Sequence, residues 1–286
     1  MSPSHLLVLI LRRFYKGIII LDAGWPLSDS IEDRELSLFK RVRNKTKGYF
    51  VDFFAFKLSD LVYLESNQQV EHSRKKFLIS RKKLKVRFTG SLEKSQSSSN
   101  QDFRESIHTD CNNCKPVVFR GKYNKEAGLE LLSNVARILD SSVHLIVLCP
   151  TLPERIKFPQ SRNVTVIKEF LPDHELEQIM SQAKLMIGQL GNSRRLNRTI
   201  PHKFFESARL GIPYLTPARK AIQEIADEDY LYLIPNKDDK TLAQQILAIL
   251  NDTELLAKKA KNFKILYEQN LSNALLSHNF IKEITE

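Results

Sequence analysis

The sequence has little cysteine and glycine, and it lacks a long apolar run. Three cysteines in 286 residues exclude a disulfide-based scaffold and favour a reducing compartment. The first apolar stretch, residues 6–11, has no basic residue before it and no small-residue cleavage site after it, and it is too short to cross a bilayer. We therefore expect a cytoplasmic protein, and we leave open a peripheral contact with the inner face of the membrane.

Several motifs that identify common enzymes are also absent from the sequence. It contains no G-x-G-x-x-G, P-loop, G-x-S-x-G or H-E-x-x-H motif. Their absence excludes the commonest dehydrogenases, nucleoside triphosphatases, serine hydrolases and zinc proteases. Cys111 and Cys114 form a lone C-x-x-C without a second pair, so neither a structural zinc site nor a thioredoxin-like centre is expected. The absence of these motifs does not exclude enzymes that bind a nucleotide in other ways.

The charge is unbalanced towards the basic side, because 44 Lys and Arg residues stand against 33 Asp and Glu residues. A net charge of +11 favours partners that carry phosphate. Residues 74–87 contain eight basic residues and no acidic one. We interpret this window as a surface with affinity for anionic lipid, and a solvated connection is the alternative. Since aromatic residues are not interleaved with the charges, specific nucleic-acid recognition is not expected.

Apolar strand patterns alternate with helical patterns along the chain, which predicts an α/β protein with parallel sheets. The first half supplies three strands, at 17–22, 60–65 and 84–89, and the second half supplies six, at 117–120, 143–148, 163–167, 185–188, 212–215 and 230–234. Helices are expected near 5–15, 30–57, 125–139, 173–183, 201–210 and 238–286. A polar, Ser- and Gln-rich stretch separates the two halves. We therefore predict a domain at 1–90, a linker at 91–115, a complete doubly wound Rossmann-like domain at 116–270, and a C-terminal helix at 271–286 that packs back towards the first domain.

The segment from Thr199 to Thr216 carries the chemistry that suits a nucleotide. On a helix that starts at Pro201, Lys203 falls in the first turn, where the helix dipole favours anions. Glu206 lies one turn further along, where it could accept hydrogen bonds from a diol. An exposed ion pair between positions i and i+3 is the alternative, and the spacing does not decide between the two.

The same segment resembles the donor-site signature of GT-B glycosyltransferases of group 1, family 4-like. Their pattern P-x-K-x-x-E-x-x-x-x-G-x-P matches Pro201, Lys203, Glu206, Gly211 and Pro213. Weaker similarities follow in the family's order at 60–66, 85–90, 119–122, 164–173 and 223–225. The resemblance implies a GT-B-like fold, with a complete C-terminal Rossmann-like domain and a partial N-terminal, acceptor-side Rossmann-like domain.

The resemblance also implies roles for individual residues. Glu206 would bind the donor ribose, Lys122 and Lys203 would neutralise the diphosphate, and Phe170 and Leu171 would flank the base, with Pro201 at the start of the helix. Weaker candidates are Arg120, Lys125, Arg198, Thr199 and Glu224, and no catalytic residue is assigned. The reaction would be a retaining, metal-independent transfer from a nucleotide-sugar, which is a substrate and not a cofactor. A carbohydrate or lipid-linked acceptor is expected, in polysaccharide or glycolipid synthesis.

Three departures from the family pattern keep alternatives open. Arg198 stands where many members have a carboxylate, which predicts altered recognition of the donor sugar. The match around Lys125 is loose. The first half resembles only the later part of an acceptor domain, so a truncated domain is expected. A non-catalytic remnant or partner subunit is therefore the main alternative, and a sugar-nucleotide epimerase and a nucleic-acid-binding protein are minor ones. The open sheet edge of a truncated domain suggests an oligomer or a partner protein.

Overall fold

The computed structural model describes residues 3–31, 37–91, 114–234 and 238–285, and it divides into two compact units. Unit 1 comprises Met1–Thr89, Ser193–Ile200 and Arg219–Ile225, and unit 2 comprises Gly90–Asn192, Pro201–Ala218 and Ala226–Glu286. Most of the predicted linker and Cys111 lie outside the described residues. No described helix has both the length and the apolar composition that a membrane span requires.

Unit 1 contains a parallel sheet with the strand order β1-β2-β3. Its strands are β1 (Ile20–Gly24), β2 (Leu61–Leu64) and β3 (Leu84–Val86), and its longer helices are α1 (Pro3–Phe14), α2 (Leu38–Leu58) and α3 (Asn67–Phe77). One-turn helices at Leu27–Ser30 and Lys220–Gln223 also belong to this unit. The sheet and helices enclose an apolar core in which the Phe56 and Phe77 rings meet edge to face with centroids 5.2 Å apart.

The start of α3 shows why a segment distant in sequence belongs to unit 1. Ser66 caps the helix by accepting a hydrogen bond from Gln69 N at 3.0 Å. The carboxylate of Glu224 accepts from Asn67 N at 2.7 Å and from Gln68 N at 2.8 Å. A negative charge on the free N–H groups of a helix start is stabilising. This contact fastens the segment Arg219–Ile225 to unit 1.

Unit 2 contains a six-stranded parallel sheet with the strand order β6-β5-β4-β7-β8-β9. The strands are β4 (Lys115–Arg120), β5 (Val143–Leu148), β6 (Val164–Ile167), β7 (Leu185–Ile187), β8 (Tyr214–Pro217) and β9 (Tyr232–Ile234). Its helices are α4 (Leu129–Val135), α5 (Asp173–Ser181), α6 (His202–Leu210), α7 (Asp239–Asn251), α8 (Thr253–Leu266) and α9 (Asn273–Thr285), with a π-turn at Tyr267–Leu271. This strand order is that of the doubly wound Rossmann fold, as predicted.

Several boundaries differ from the sequence-based expectation. The helix predicted at 125–139 is shortened to Leu129–Val135, because residues 125–127 form a turn and Gly128 adopts a left-handed φ of 68°. The strand predicted at 212–215 lies two residues later, since Leu215 pairs with both Ile187 and Tyr232. The strand predicted at 17–22 starts at Ile20, and the strand predicted at 84–89 ends at Val86.

The end of the chain belongs to unit 2. The helix α9 lies beside Ser91, whose carbonyl oxygen accepts from the Asn273 side chain and, at 3.4 Å, from the Tyr267 hydroxyl. The packing of 271–286 towards the first domain stays a prediction.

Candidate functional site

The carboxyl ends of β4, β5 and β6 lie beside the start of α6, where parallel α/β sheets usually bind ligands. A pocket of about 400 Å³ opens there, lined by Arg120, Gly121, Lys122, Leu148, Pro150, Glu169, Phe170, Leu171, Asp173 and Leu176. A second pocket of about 290 Å³ shares Arg120, Asp173 and Leu176 with it and is also lined by His202 and Glu206. The two pockets bring together residues from five separate segments of unit 2, at 91, 120–122, 148–150, 169–180 and 202–209.

Lys203 is the energetically most unusual residue of this edge. The residue is only 4% exposed, and its Nζ has no hydrogen-bond partner among the described residues. The ammonium group lies 3.6 Å from the centroid of the Phe119 ring. Burial, with a further contribution from the charge of Arg120, lowers the pKa of Lys203 to about 7, and the charge of Glu206 opposes this shift. Burial of an ammonium group without a partner is unfavourable, and an anion placed beside it would compensate for that cost.

Gly121 lies directly beside that cation. A Cβ atom added at Gly121 would lie 3.5 Å from Lys203 Nζ and 3.9 Å from the Phe119 ring. Gly121 lines the larger pocket, whereas Lys203 lines neither pocket and its Nζ is buried behind the pocket wall. The backbone at Gly121 is therefore the part of the pocket wall that lies beside the ammonium group.

Glu206 is also buried, but each of its two carboxylate oxygens has a partner. Its Oε2 accepts from Arg120 Nη1 at 2.9 Å, and its Oε1 lies 3.0 Å from His202 Nδ1. Burial alone would raise the pKa of Glu206, but the hydrogen bond with His202 and the charges of Arg120 and Lys203 outweigh it, and the pKa is lowered. The carboxylate is thus ionised and held in one orientation. The alternative of an exposed Lys203–Glu206 ion pair is wrong, because both residues are buried and Lys203 has no such partner.

Phe170 and Lys122 form the outer wall of the larger pocket. The Phe170 ring is 72% exposed, although it is a large apolar group. Lys122 Nζ lies 5.6 Å from its centroid, within the range of a cation–π contact. Leu171 follows in the same wall. An exposed aromatic face beside a cation offers a flat apolar surface and positive charge to the same ligand.

Comparison with known proteins decides the family. Residues 114–252 match the family model described as glycosyl transferases group 1. This region, just under half of the chain, belongs to the group 1 glycosyltransferases. The resemblance and the enzyme class predicted from Pro201, Lys203 and Glu206 are confirmed at the level of the family. A search of curated proteins by sequence gives no match.

Solved structures show that this glycosyltransferase has the GT-B fold. HepE of Anabaena in complex with UDP-glucose superposes with a TM-score of 0.72 at 14% identity, covering 98% of this chain and 76% of that one. Sucrose-phosphate synthase from Thermosynechococcus elongatus gives a TM-score of 0.74 at 15% identity over 98% of this chain and 70% of that one. WaaG, described as a glycosyltransferase of lipopolysaccharide biosynthesis, gives a TM-score of 0.68 at 14% identity, covering 96% of this chain and 79% of that one. The predicted fold class is confirmed.

The weaker site candidates of the glycosyltransferase are found in different places. Arg120 lines both pockets and binds Glu206 directly. Lys125 is exposed in the turn before α4 and lines neither pocket. Pro201 precedes α6 as its N-cap residue, so the helix begins at His202 and not at Pro201. Lys203 nevertheless stays in the first turn, as expected.

Three further candidates of the glycosyltransferase belong to unit 1. Arg198 donates to Asp29 Oδ2 and to Gln69 Oε1, each at 3.2 Å. Thr199 is buried in the same segment, and Glu224 caps α3. Each is thus engaged within unit 1 in the free protein.

Two residues of this sheet edge were not anticipated. His202 holds one oxygen of Glu206, and its spacing of four residues on one helix could have indicated this contact. Phe119 underlies Lys203, and it reads in the sequence as an ordinary buried strand residue. Among the described residues, no group of three or more His, Cys, Asp or Glu side chains is arranged to hold a metal ion.

Proposed function

We propose that this glycosyltransferase transfers a sugar from a nucleoside-diphosphate sugar to an acceptor hydroxyl with retention of configuration. The observation that carries the proposal is Lys203, a buried cation that has no hydrogen-bond partner among the described residues and lies beside Gly121 in the wall of the larger pocket. A diphosphate is the part of such a donor that would supply the missing negative charge. The HepE structure, whose bound ligand is UDP-glucose, favours a uridine nucleotide for the first trials.

The other residues of the edge fit the remaining parts of a donor. The ionised carboxylate of Glu206 keeps lone pairs that can accept from ribose hydroxyls. The exposed ring of Phe170, with Leu171, offers a stacking surface for the base. Lys122 lies at the mouth of the same pocket and adds a second cation for the diphosphate.

The chemistry follows from these charges. The bond between the anomeric carbon and the diphosphate oxygen breaks, and its electron pair leaves with the diphosphate. A new bond forms on the same face of the anomeric carbon, between this carbon and the acceptor oxygen, whose proton passes to the departing diphosphate. Positive charge placed in advance at the leaving group stabilises the charge that develops there. In our proposal Lys203 and Lys122 have this role.

We extend the proposal to the acceptor and the location. A carbohydrate or a lipid-linked acceptor, used in polysaccharide or glycolipid synthesis on the cytoplasmic side of a membrane, fits a basic chain best. WaaG, with a TM-score of 0.68, is described as acting in lipopolysaccharide biosynthesis, which supports this class of acceptor without identifying it.

Thermal unfolding of the full chain with UDP-, GDP- and ADP-sugars tests the donor site. A ligand at about 100 times its dissociation constant stabilises the protein by about 2.7 kcal/mol. We expect one nucleotide class to stabilise the wild type, and Glu206→Gln and Lys203→Met to lose most of that effect. Lys240→Met, which removes an exposed lysine on α7, should behave like the wild type.

Two results would overturn the proposal. The first is that no nucleotide-sugar stabilises the wild type, and the second is that the Glu206 and Lys203 variants bind as well as the Lys240 control. Release of the nucleoside diphosphate in the presence of candidate acceptors then tests transfer separately from binding.

A further inference from the structure

The connection between the strands β5 and β6 of unit 2 lacks a helix. Neighbouring parallel strands are usually joined by a crossover helix that covers one face of the sheet. The connection from β4 to β5 contains α4, but residues 149–163, all of them described, form only turns and irregular backbone. Pro150, Pro153 and Pro159 disfavour a helix throughout this segment, because proline lacks the N–H donor and clashes with the preceding turn. The sheet beside β6 is therefore left without its usual cover.

The strand β6 exposes apolar surface as a result. All six residues of β5 are buried, whereas all four residues of β6 are only half-buried. Val164 and Val166 pack against the main core of unit 2, together with Leu152 and Phe158 from the connection. Strands of a parallel sheet are normally covered on both faces. These four side chains thus extend the core of unit 2 to the surface at the edge of its sheet.

An open groove of about 1220 Å³ lies over these four apolar side chains, and we call it the β6 groove. Its apolar residues are half-buried and its charged residues are exposed, so an apolar floor is surrounded by a charged rim. The rim has one carboxylate, at Glu154, and four cations, at Arg137, Lys157, Arg162 and Lys168. Among the described residues, the side chains of Lys157, Arg162 and Lys168 make no hydrogen bond or ion pair. The rim therefore has an excess of positive charge that the free protein leaves unpaired.

The connection that forms one wall of the β6 groove is held in place. Ile156 is 5% exposed and belongs to the core of unit 2. Arg137, which follows α4, donates from Nη2 to the carbonyl oxygen of Lys157 at 2.7 Å. The guanidinium group of Arg155 lies 5.1 Å from the centroid of the Tyr123 ring. A wall that is formed in advance lowers the entropy cost of binding a partner.

We propose that the β6 groove binds an acidic amphipathic helix of a partner protein. In this mode of recognition the apolar stripe of a helix lies in an apolar groove, and charges at the rim match charges on the helix. The groove occupies the place that a crossover helix would take on the sheet, which favours a helix over an extended segment. The four cations of the rim, against one carboxylate, favour an acidic helix. A second copy of the chain is a poorer occupant, because its net charge is +11.

Fluorescence anisotropy with synthetic peptides tests the proposal on the full chain. The probe is a peptide of about five helical turns, with leucine at positions i, i+3, i+4 and i+7 of its apolar stripe and glutamate elsewhere. We expect this peptide to bind the wild type, and the binding to weaken as salt is raised. A peptide with lysine in place of glutamate should not bind. A peptide with serine in place of leucine should bind at least about tenfold more weakly, since the floor is apolar.

Matched variants test whether the peptide lies in the β6 groove. Lys157→Glu/Arg162→Glu reverses two exposed charges of the rim and should weaken binding at least about tenfold. Lys258→Glu/Lys261→Glu makes the same change of charge on α8 and should bind like the wild type. Phe158→Ser removes an apolar group from the floor and should also weaken binding. If the Phe158 variant fails to fold by circular dichroism, the rim variant, which changes only exposed side chains, still decides.

Amide hydrogen exchange locates the bound peptide independently of the variants. We expect slower exchange at residues 152–168 when the leucine–glutamate peptide is bound. The inference does not depend on the proposed donor site, and the peptide experiments contain no nucleotide. Lys168 is left unchanged in every variant, because the next residue, Glu169, lines the larger pocket of that site.

Several results would overturn the inference. One is that the leucine–glutamate peptide does not bind, or binds no more tightly than the two altered peptides. Another is that the α8 variant weakens binding as much as the rim variant, since the peptide would then respond to the overall charge of the chain. A third is a wild-type dimer in light scattering that the rim variant dissociates, which would assign the β6 groove to a second copy.

Discussion

Raising the pH should weaken donor binding, because the key cation of the site loses its proton close to neutrality. In the free protein, burial first and the charge of Arg120 second lower the pKa of Lys203 to about 7. A bound diphosphate would favour the charged form and raise that pKa again. At a pH between the pKa of Lys203 in the free protein and its pKa in the complex, binding of the donor requires that Lys203 take up one proton.

The size of the effect follows from this linkage. A difference of one pKa unit corresponds to about 1.4 kcal/mol, so the dissociation constant should rise up to about tenfold for each pH unit above about 7. Other groups around Lys203 do not compete in this range. The pKa of Glu206 is lowered, so it stays ionised, and burial raises the pKa of Cys149 and of Tyr214, so they stay protonated.

The assay is calorimetric titration with a nucleotide-sugar from about pH 7.5 to about pH 9, above the ordinary titration of histidine. Wild-type affinity should fall steadily across this range. Lys203→Arg, which keeps its charge, should show no such dependence, and Lys203→Met should bind weakly at every pH. A wild-type affinity that is constant across the range, or a pH dependence that persists in Lys203→Met, would refute the reasoning.

Further substitutions test other parts of the structure by urea unfolding. Lys203→Met should stabilise the ligand-free protein at neutral pH by a few kcal/mol, because it removes a buried charge. Since the pKa of Lys203 is lower in the folded than in the unfolded protein, the wild type should gain stability as the pH rises from about 7 towards 10.5. Gly128→Ala should cost several kcal/mol, since φ is +68° and a Cβ would lie 2.7 Å from a neighbouring loop, whereas Gly24→Ala, with φ +58° and no atom within 4 Å, should cost about 1 kcal/mol. Glu224→Gln should destabilise unit 1 by about 1 kcal/mol, because it removes a charged cap. Asp29→Asn should destabilise unit 1 by about 3 kcal/mol at neutral pH. Burial raises the pKa of Asp29, but the interactions with His72 and Lys76 outweigh burial, and the pKa is lowered. The stability that Asp29 contributes is therefore present at neutral pH and is lost only in acid.

The architecture could be predicted because buried parallel strands leave a strong pattern. Strands covered on both faces read as short continuous apolar runs, as at Val143–Leu148, where all six residues are buried. The alternation of such runs with helices indicated both sheets and the strand count in each. Boundaries were less accurate where turns decide them, as at Gly128, because a left-handed residue interrupts a pattern that otherwise continues.

Long-range contacts of charged residues could not be predicted in the same way. Arg198 and Asp29 are 169 residues apart, and Glu224 and Asn67 are 157 apart. Their spacing in sequence carries no information about these contacts. The resemblance suggested Arg198 and Glu224 as donor-site candidates, whereas in the free protein both stabilise unit 1. A residue that matches a position of the family pattern can therefore also have a structural role, which is seen only in the fold.

Lys203 and Glu206 differ in how strongly they argue for a ligand. Glu206 has good partners in the free protein, so its position is explained by Arg120 and His202 alone. Lys203 has none, and an apolar side chain of similar length would pack on Phe119 without the cost of burying a charge. An anion that reached the ammonium group on the side of Gly121 would return the interactions that this group loses on folding. The energetic cost of Lys203, more than the match to a sequence pattern, is therefore the reason to expect a diphosphate at this edge.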